Sequence, residues 1–296
     1  MAALECGISG LYSQPRVAGK TIGGGMIRSR ISNLLRSVGL GLGVVAGLWG
    51  CASDEPEIPD QPAEVLYTNA LNTLEDGRAP QAAKLFEEVE RQHPYSTWAT
   101  QALVMAAYSY YLMDDYDSAI PALENFIELH PGNRNAAYAF YLRALCYYEQ
   151  IADVTRDQGN TEEALRALSD VVARFPNTPY ARDASLKLDL VRDHLAGKEM
   201  EVGRYYLKRD LYLAAINRFR TVVEKYQTTS HVPEALHRLV EAYLSLGITD
   251  EAQAAAAVLG YNFPGSDWYQ DSYALLATRN LQPEQPKEGS WLEGAF

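Results

Sequence analysis

One spacing recurs along the chain: an alanine, an apolar residue four positions on, and a turn residue twelve positions on. Ala82, Phe86 and Pro94 form the first copy, Ala119, Leu123 and Pro131 the second, and Ala164, Leu168 and Pro176 the third. Ala252, Ala256 and Pro264 form another, and Ala215, Phe219 and Gln227 one more, with glutamine in place of proline. Residues four apart lie one above the other on a helix, so each pair marks one buried stripe. The small residue lets a partner helix come close, the larger one fills the groove beside it, and proline cannot continue a helix and marks its end. The pattern predicts helix pairs over 63–76 and 80–92, turned at Gly77, and over 98–113 and 117–129, turned at Asp114 and Asp115.

Two copies are stretched. The usual distance from one turn residue to the next alanine is 25 residues, but Pro131 to Ala164 spans 33 and Pro176 to Ala215 spans 39. The first excess falls in a polar stretch, 150–159, and predicts a loop. The second excess, 14 residues, is close to four helical turns, which keeps an apolar stripe in phase. It predicts one long helix over about 180–208, softened at Gly197. Helices over 233–246 and 250–261 follow, and a capping helix over 266–277 covers the last apolar face. No alternating Val/Ile/Thr pattern predicts a strand. The fold class is all-α, a solenoid of five helix pairs over 63–280 that resembles the tetratricopeptide repeat. After Leu281 the composition turns to Pro, Glu, Lys and Gly, which predicts disorder over 281–296.

Residues 1–50 read differently. Residues 1–25 carry no periodicity and precede Met26, which reads as the true start. Arg28, Arg30 and Arg36 then lead into an apolar run over 38–48, too short to span a bilayer and typical of a secretory signal. It ends in Leu48-Trp49-Gly50-Cys51, which resembles the bacterial lipoprotein box, with Trp49 where a small or aliphatic residue is usual. That resemblance makes Cys51 the lipidation site, and Ala52 after it implies the outer membrane. Residues 51–62, acidic and proline-rich, form a lipidated tether, extended and semi-rigid. Cys6 and Cys146 are the remaining cysteines, and Cys146 in an apolar helix reads as a small core residue.

Charge and missing motifs narrow the function. Residues 1–50 hold five of the 26 basic and one of the 38 acidic residues, which leaves 21 against 37 and a net charge of −16 from Cys51 onward. Such a surface argues against nucleic acid and against charge-driven binding to anionic lipid. No catalytic serine elbow, zinc-binding HExxH, Walker motif or dinucleotide fingerprint occurs. His93, His130, His194, His231 and His237 are scattered; no cofactor or metal is expected, and the chain does not read as an enzyme. A protein-binding surface remains. The chain has 20 tyrosines against seven phenylalanines. Tyrosine suits a half-wet groove because its ring packs while its hydroxyl stays hydrated; Tyr67, Tyr108, Tyr111 and Tyr141 are the candidates for lining one. Arg204, Arg209, Arg218 and Arg220 form a candidate basic rim, although Arg220 is expected to pair with Glu224 four residues on instead.

Two stretches carry a closer resemblance: Asp153-Val-Thr-Arg156-Asp157-Gln158, and Val202-Gly-Arg204-Tyr205-Tyr206 through Arg209 to Asn217-Arg218. With the lipoprotein box, the tether and the repeats, they resemble the BamD family of outer-membrane assembly lipoproteins over about 51–261. Gln227 departs from the family's usual proline. The resemblance implies a scaffold subunit of the β-barrel assembly complex, lipid-anchored at the outer membrane and facing the periplasm. It implies that Arg204, Tyr205, Tyr206, Arg209, Asn217 and Arg218 lie where the periplasmic domains of BamA dock, beside other lipoproteins of the complex. It also implies that the N-terminal repeats meet unfolded barrel precursors. Asp153, Arg156, Asp157 and Gln158 are expected to form a self-satisfied loop, with Arg156 paired to a carboxylate. The alternative is a periplasmic repeat adaptor for cell-wall synthesis or division.

Overall fold

The computed structural model describes residues 58–293. The leader, the signal segment, Cys51 and most of the tether lie outside the described residues. Within them the chain forms eleven helices and no strand. Five pairs follow one another: α1 (Ala63–Glu75) with α2 (Ala79–Gln92), α3 (Thr97–Leu112) with α4 (Tyr116–Leu129), α5 (Ala136–Glu149) with α6 (Gly159–Arg174), α7 (Pro179–Leu207) with α8 (Tyr212–Lys225), and α9 (Val232–Leu246) with α10 (Thr249–Asn262). A last helix, α11 (Asp267–Ala277), packs on α9 and α10. Each helix packs against the next in sequence, as a solenoid requires.

The repeated alanines set this stacking. Ala82, Ala119, Ala164, Ala215 and Ala252 are all fully buried, and so are the residues four on. The stripe extends one turn further than the sequence pattern stated. Val89, Phe126, Val171, Val222 and Leu259, seven residues after each alanine, are also fully buried. Eleven residues after each alanine stands a ring: His93, His130, Phe175, Tyr226 or Phe263. Each is the C-cap of its helix with φ between −126° and −135°.

The turns are equally regular. The N–H of Ser96, Asn133, Thr178, Thr229 and Ser266 each donates to the carbonyl three residues before it, at 2.9–3.1 Å. Gln227 sits in the proline position without disturbing this bond, so the register holds. Ser96, Thr178 and Ser266 then accept from the first turn of the following helix, which caps it. Inside the pairs, Gly77, Asp114, Asp210 and Gly247 take left-handed φ of 59–78° and end the first helix. Asp114 and Asp210 are held there by the hydroxyls of Tyr116 at 3.0 Å and Tyr212 at 2.7 Å.

The long helix α7 has 29 residues and spans about 43 Å at 1.5 Å per residue. Its first half, through Ala184, Leu188, Val191 and Leu195, shares a core with α5 and α6. Its second half, through Ala196 and Met200, shares one with α8, α9 and α10. The expected softening at Gly197 does not occur; the helix runs through it. Gly197 instead makes room, since a Cβ there would stand 3.3 Å from His231 and 3.7 Å from Val154 of the 150–158 loop.

The C-terminal segment corrects the sequence reading. Residues 282–293 are not free of the body. Gln253 donates to the carbonyl of Gln282 at 2.7 Å, Lys287 pairs with Asp250 at 2.8 Å, and Ser290 donates to Glu251 at 3.0 Å. Leu292 is buried, and the Trp291 indole N–H donates to Tyr243 at 2.9 Å while Arg220 lies over its ring. The segment is polar and proline-containing in composition, but two apolar side chains together with these polar contacts dock it across α8, α9 and α10.

Two substitutions test this packing. A Cβ on Gly203 would lie 2.4 Å from the Phe219 ring at the α7–α8 contact. Gly203→Ala is expected to overpack this seam and cost about 1–3 kcal/mol, read as a lowered urea midpoint at unchanged slope. Trp291→Ala removes a half-buried ring, and a loss of about 1–2 kcal/mol is expected in the same measurement. An unchanged midpoint would mean that the segment does not contribute to the folded state.

Candidate partner-binding site

The second half of α7 and the face of α8 beside it bring the predicted residues together. Tyr206, Ala214, Asn217, Arg218 and Thr221 line a shallow cleft of about 240 Å³. Asn217 and Arg218 reach it because they follow the buried Ala215 and Ile216 and turn outward. At its edge the Tyr205 ring meets Tyr206 edge-on at 5.7 Å, and the Arg209 guanidinium lies over Tyr205 at 4.3 Å. Tyr205, Leu211 and Leu213 are half to two-thirds exposed. This cluster of exposed apolar side chains sits around the turn at Asp210.

The arginines do not form the open basic rim that the sequence suggests. Arg218 pairs with Glu199 of α7 at 3.1 Å. Arg204 bridges Glu201 at 3.0 Å and Glu234 at 3.1 Å, and Arg220 pairs with Glu224 at 2.9 Å. Arg209 is the member of the set whose partner is an aromatic face instead of a carboxylate. From Glu234 the ion pairs continue through Arg238 to Glu241, which also contacts His237; the other ring nitrogen of His237 meets Ser272 of α11 at 2.8 Å. Burial alone would raise the Glu241 carboxyl, but hydrogen bonds from His237 and Arg238 outweigh it and hold the group below its ordinary value.

The candidate groove tyrosines divide. Tyr67 is buried against Phe86 and Trp98, and Tyr141 is buried with its hydroxyl donating to Asp183 of α7. Both are core residues, a correction to the sequence reading. Tyr108 and Tyr111 are half-buried and stacked at 6.4 Å, and Tyr111 meets Tyr116 at 6.0 Å. Tyr138 meets Tyr180 at 5.6 Å, so rings from α3, α4, α5 and the start of α7 follow one another. Burial, with the nearby charge of Glu149, pushes the Tyr111 hydroxyl up to about 12.

The 150–158 loop satisfies itself, though not through Arg156. The Gln158 amide donates to the carbonyls of Asp153 and Arg156 at 3.1 Å, and its oxygen accepts from Thr161. Asp153 accepts from the N–H and hydroxyl of Thr155, and Asp157 accepts from the N–H of Gly159. The expected Arg156 carboxylate pair is absent among the described residues. Arg156 is exposed, and only its carbonyl ties back to α7, through Lys198 at 3.3 Å. The amide of a buried Gln158 does the work that a charged pair would do at greater desolvation cost.

Chemistry of other kinds finds little purchase. Among the described residues no three His, Cys, Asp or Glu side chains gather around a common metal position. Burial pushes the Cys146 thiol up to about 12, which keeps it a protonated core group. No described helix is long and apolar enough to cross a membrane.

Comparison with known proteins agrees with this architecture. The family model YfiO, outer membrane lipoprotein, matches residues 59–259. The outer membrane protein assembly factor BamD of Caulobacter vibrioides is 53% identical over 244 residues, covering 81% of this chain and 80% of that protein. The Rickettsia prowazekii protein of the same name is 47% identical, covering 86% of this chain and 99% of its own length. That of Neisseria meningitidis serogroup A is 37% identical, with 80% and 93% covered. A match of this extent, spanning all five repeats, shows that the chain belongs to the YfiO outer membrane lipoprotein family, together with the assembly factors named BamD.

Proposed function

We propose that this chain is a lipid-anchored scaffold subunit of the outer-membrane β-barrel assembly complex. In this reading Cys51 carries the lipid at the outer membrane, the repeats face the periplasm, and the work is binding, not catalysis. The α7–α8 cleft seats the periplasmic domains of BamA, other lipoproteins of the complex dock elsewhere on the body, and the half-buried tyrosines of α3 and α5 meet unfolded barrel precursors. Family membership over residues 59–259 supports the assembly role and counts against the cell-wall adaptor alternative. The observation that carries the docking site is the convergence of Tyr206, Asn217 and Arg218 on one cleft beside the exposed Tyr205, Leu211 and Leu213.

Arg218 is suited to a shared contact. It is 45% exposed and already bound to Glu199. A partner carboxylate can join Glu199 on the guanidinium, which has donors for both, without leaving either charge unpaired. Exposed aromatic and leucine side chains around the cleft supply the apolar area that the ion pair lacks, and arginine and tyrosine are the residue types most often decisive in interfaces.

Arg218→Ala is the cleaner test, because charge reversal would set a second carboxylate beside Glu199. The variant loses a part-exposed pair worth about 1 kcal/mol, so the thermal melt should move only slightly. Capture of the purified periplasmic domains of BamA is expected to weaken at least about tenfold, roughly 1.4 kcal/mol. Glu199→Gln, which frees the guanidinium, should leave capture intact or strengthen it. Equal weakening by both variants would show that the internal pair, and not a contact from Arg218, matters.

A further inference from the structure

The five inter-repeat turns share one hydrogen-bond geometry, which makes the residue after the proline position directly comparable in all of them. That residue is Gly132, Asn177, Thr228 and Gly265 in four turns and Tyr95 in the first. Small and polar residues belong at the third position of a tight turn, where the side chain packs on nothing. Tyr95 is fully exposed, at 101% of its reference area. The other four turns fold without a ring there, so Tyr95 serves no local structural need.

The same turn also holds the end of the tether. The Gln61 N–H donates to the Gln92 side chain at 3.1 Å, and the His93 ring meets the Gln61 carbonyl at 2.5 Å. Gln92 further donates to the carbonyls of Ile58 and Pro59 at 3.4 and 3.5 Å. Ile58 packs against the first core. The chain arriving from the N-terminal side is thus fastened two to three residues before Tyr95. Ile58 is the seventh residue after Cys51, so even fully extended the intervening chain reaches only about 25 Å.

We propose that the α2–α3 turn is a membrane-contact point, with the Tyr95 ring seated in the headgroup layer of the bilayer that carries the lipid anchor. The inference rests on lipidation at Cys51. A clamp and a short tether together keep this end of the solenoid near the surface, and tyrosine is a residue that partitions to the membrane–water interface through its amphipathic ring. The contact is aromatic rather than electrostatic: around the turn Arg91 is paired to Glu88 at 2.5 Å, and the body as a whole is acidic. Raised salt therefore leaves it unchanged. Fixing one point of the body at the membrane, in addition to the lipid anchor, restricts how the solenoid can tilt.

The test uses the full-length acylated protein on vesicles of phosphatidylethanolamine and phosphatidylglycerol, with the unacylated Cys51→Ala protein in solution as reference. Hydroxyl-radical footprinting reads Tyr95 against Tyr261, which is 82% exposed near the end of α10. Oxidation of Tyr95 is expected to fall about fivefold or more on vesicles, at low and high salt alike, while Tyr261 is unaffected. If the acylated protein floats with the vesicles but Tyr95 oxidises as fast as in the reference, the contact does not exist. If the protein does not float at all, lipidation fails and the proposal falls with it. Protection of Tyr95 by an unfolded barrel segment without vesicles would also overturn it, by assigning the ring to a polypeptide partner.

Discussion

Helix pairs in this molecule meet at points where one side chain is a single methyl group, and the stacking depends on that closeness. Five alanines sit at these points with no solvent exposure, each followed on the same face by two further buried side chains. Because the alanine adds almost no bulk, the residues four and seven on, larger in every position except Ala256, can enter the grooves of the facing helix. The helix must then end about one turn later so that the chain can return. A ring at the C-cap and a tight turn closed by one backbone hydrogen bond accomplish this in every repeat. The turn geometry depends on φ and on that bond more than on proline itself, which is why Gln227 can replace it.

The long helix α7 shows the same constraint operating over distance. Lengthening a repeat by 14 residues moves the helix nearly four turns without rotating its buried stripe by much. One end can therefore belong to the core of α5 and α6 and the other to the core of α8 and α9. Two glycines handle the crowding that results. Gly197 admits the 230–231 turn and the inserted loop, and Gly203 admits the Phe219 ring. The insertion in the preceding repeat and the extension in this one thus belong together: the loop at 150–158 lies where α7 has outgrown its partner, with Val154 near Gly197 and the Arg156 carbonyl on Lys198.

Helix positions were legible because they rest on short-range rules: spacing within a stripe, a capping hydroxyl, a proline at a turn. The predicted bounds of α1, α3, α9 and α10 agree with the structure within a residue or so. Properties set by distant neighbours were not legible. Tyr67 and Tyr108 both stand on first helices with tyrosine-rich surroundings, yet Tyr67 is core, packed on Phe86 and Trp98 of the following helices, while Tyr108 is half-buried and stacks on Tyr111 of its own helix. The pairing of Arg218 with Glu199 joins residues 19 apart on different helices, and no periodicity reports it. The docking of Trp291 and Leu292 was hidden for another reason. Composition averages over a segment, whereas two side chains in the right places can hold it. The one signal available was that a disordered tail has little use for a tryptophan and a leucine side by side.

An acidic protein that pairs its arginines internally presents a nearly neutral binding face inside a negative field. The field itself disfavours acidic partners at long range. Close up, however, Arg204, Arg218 and Arg220 each already hold a carboxylate in hydrogen-bonding geometry. A partner carboxylate must share an arginine that is already engaged, so the ion pairs select for geometry more than they supply affinity. Affinity must then come from what surrounds them: Tyr205 with its stacked Arg209, Leu211 and Leu213, all exposed around a turn that Tyr212 and Asp210 hold rigid. Because the turn is fixed in advance, little ordering remains to be done on binding. A face built in this way discriminates partners through the register of one or two carboxylates and holds them by burial of side chains that the free protein leaves in water.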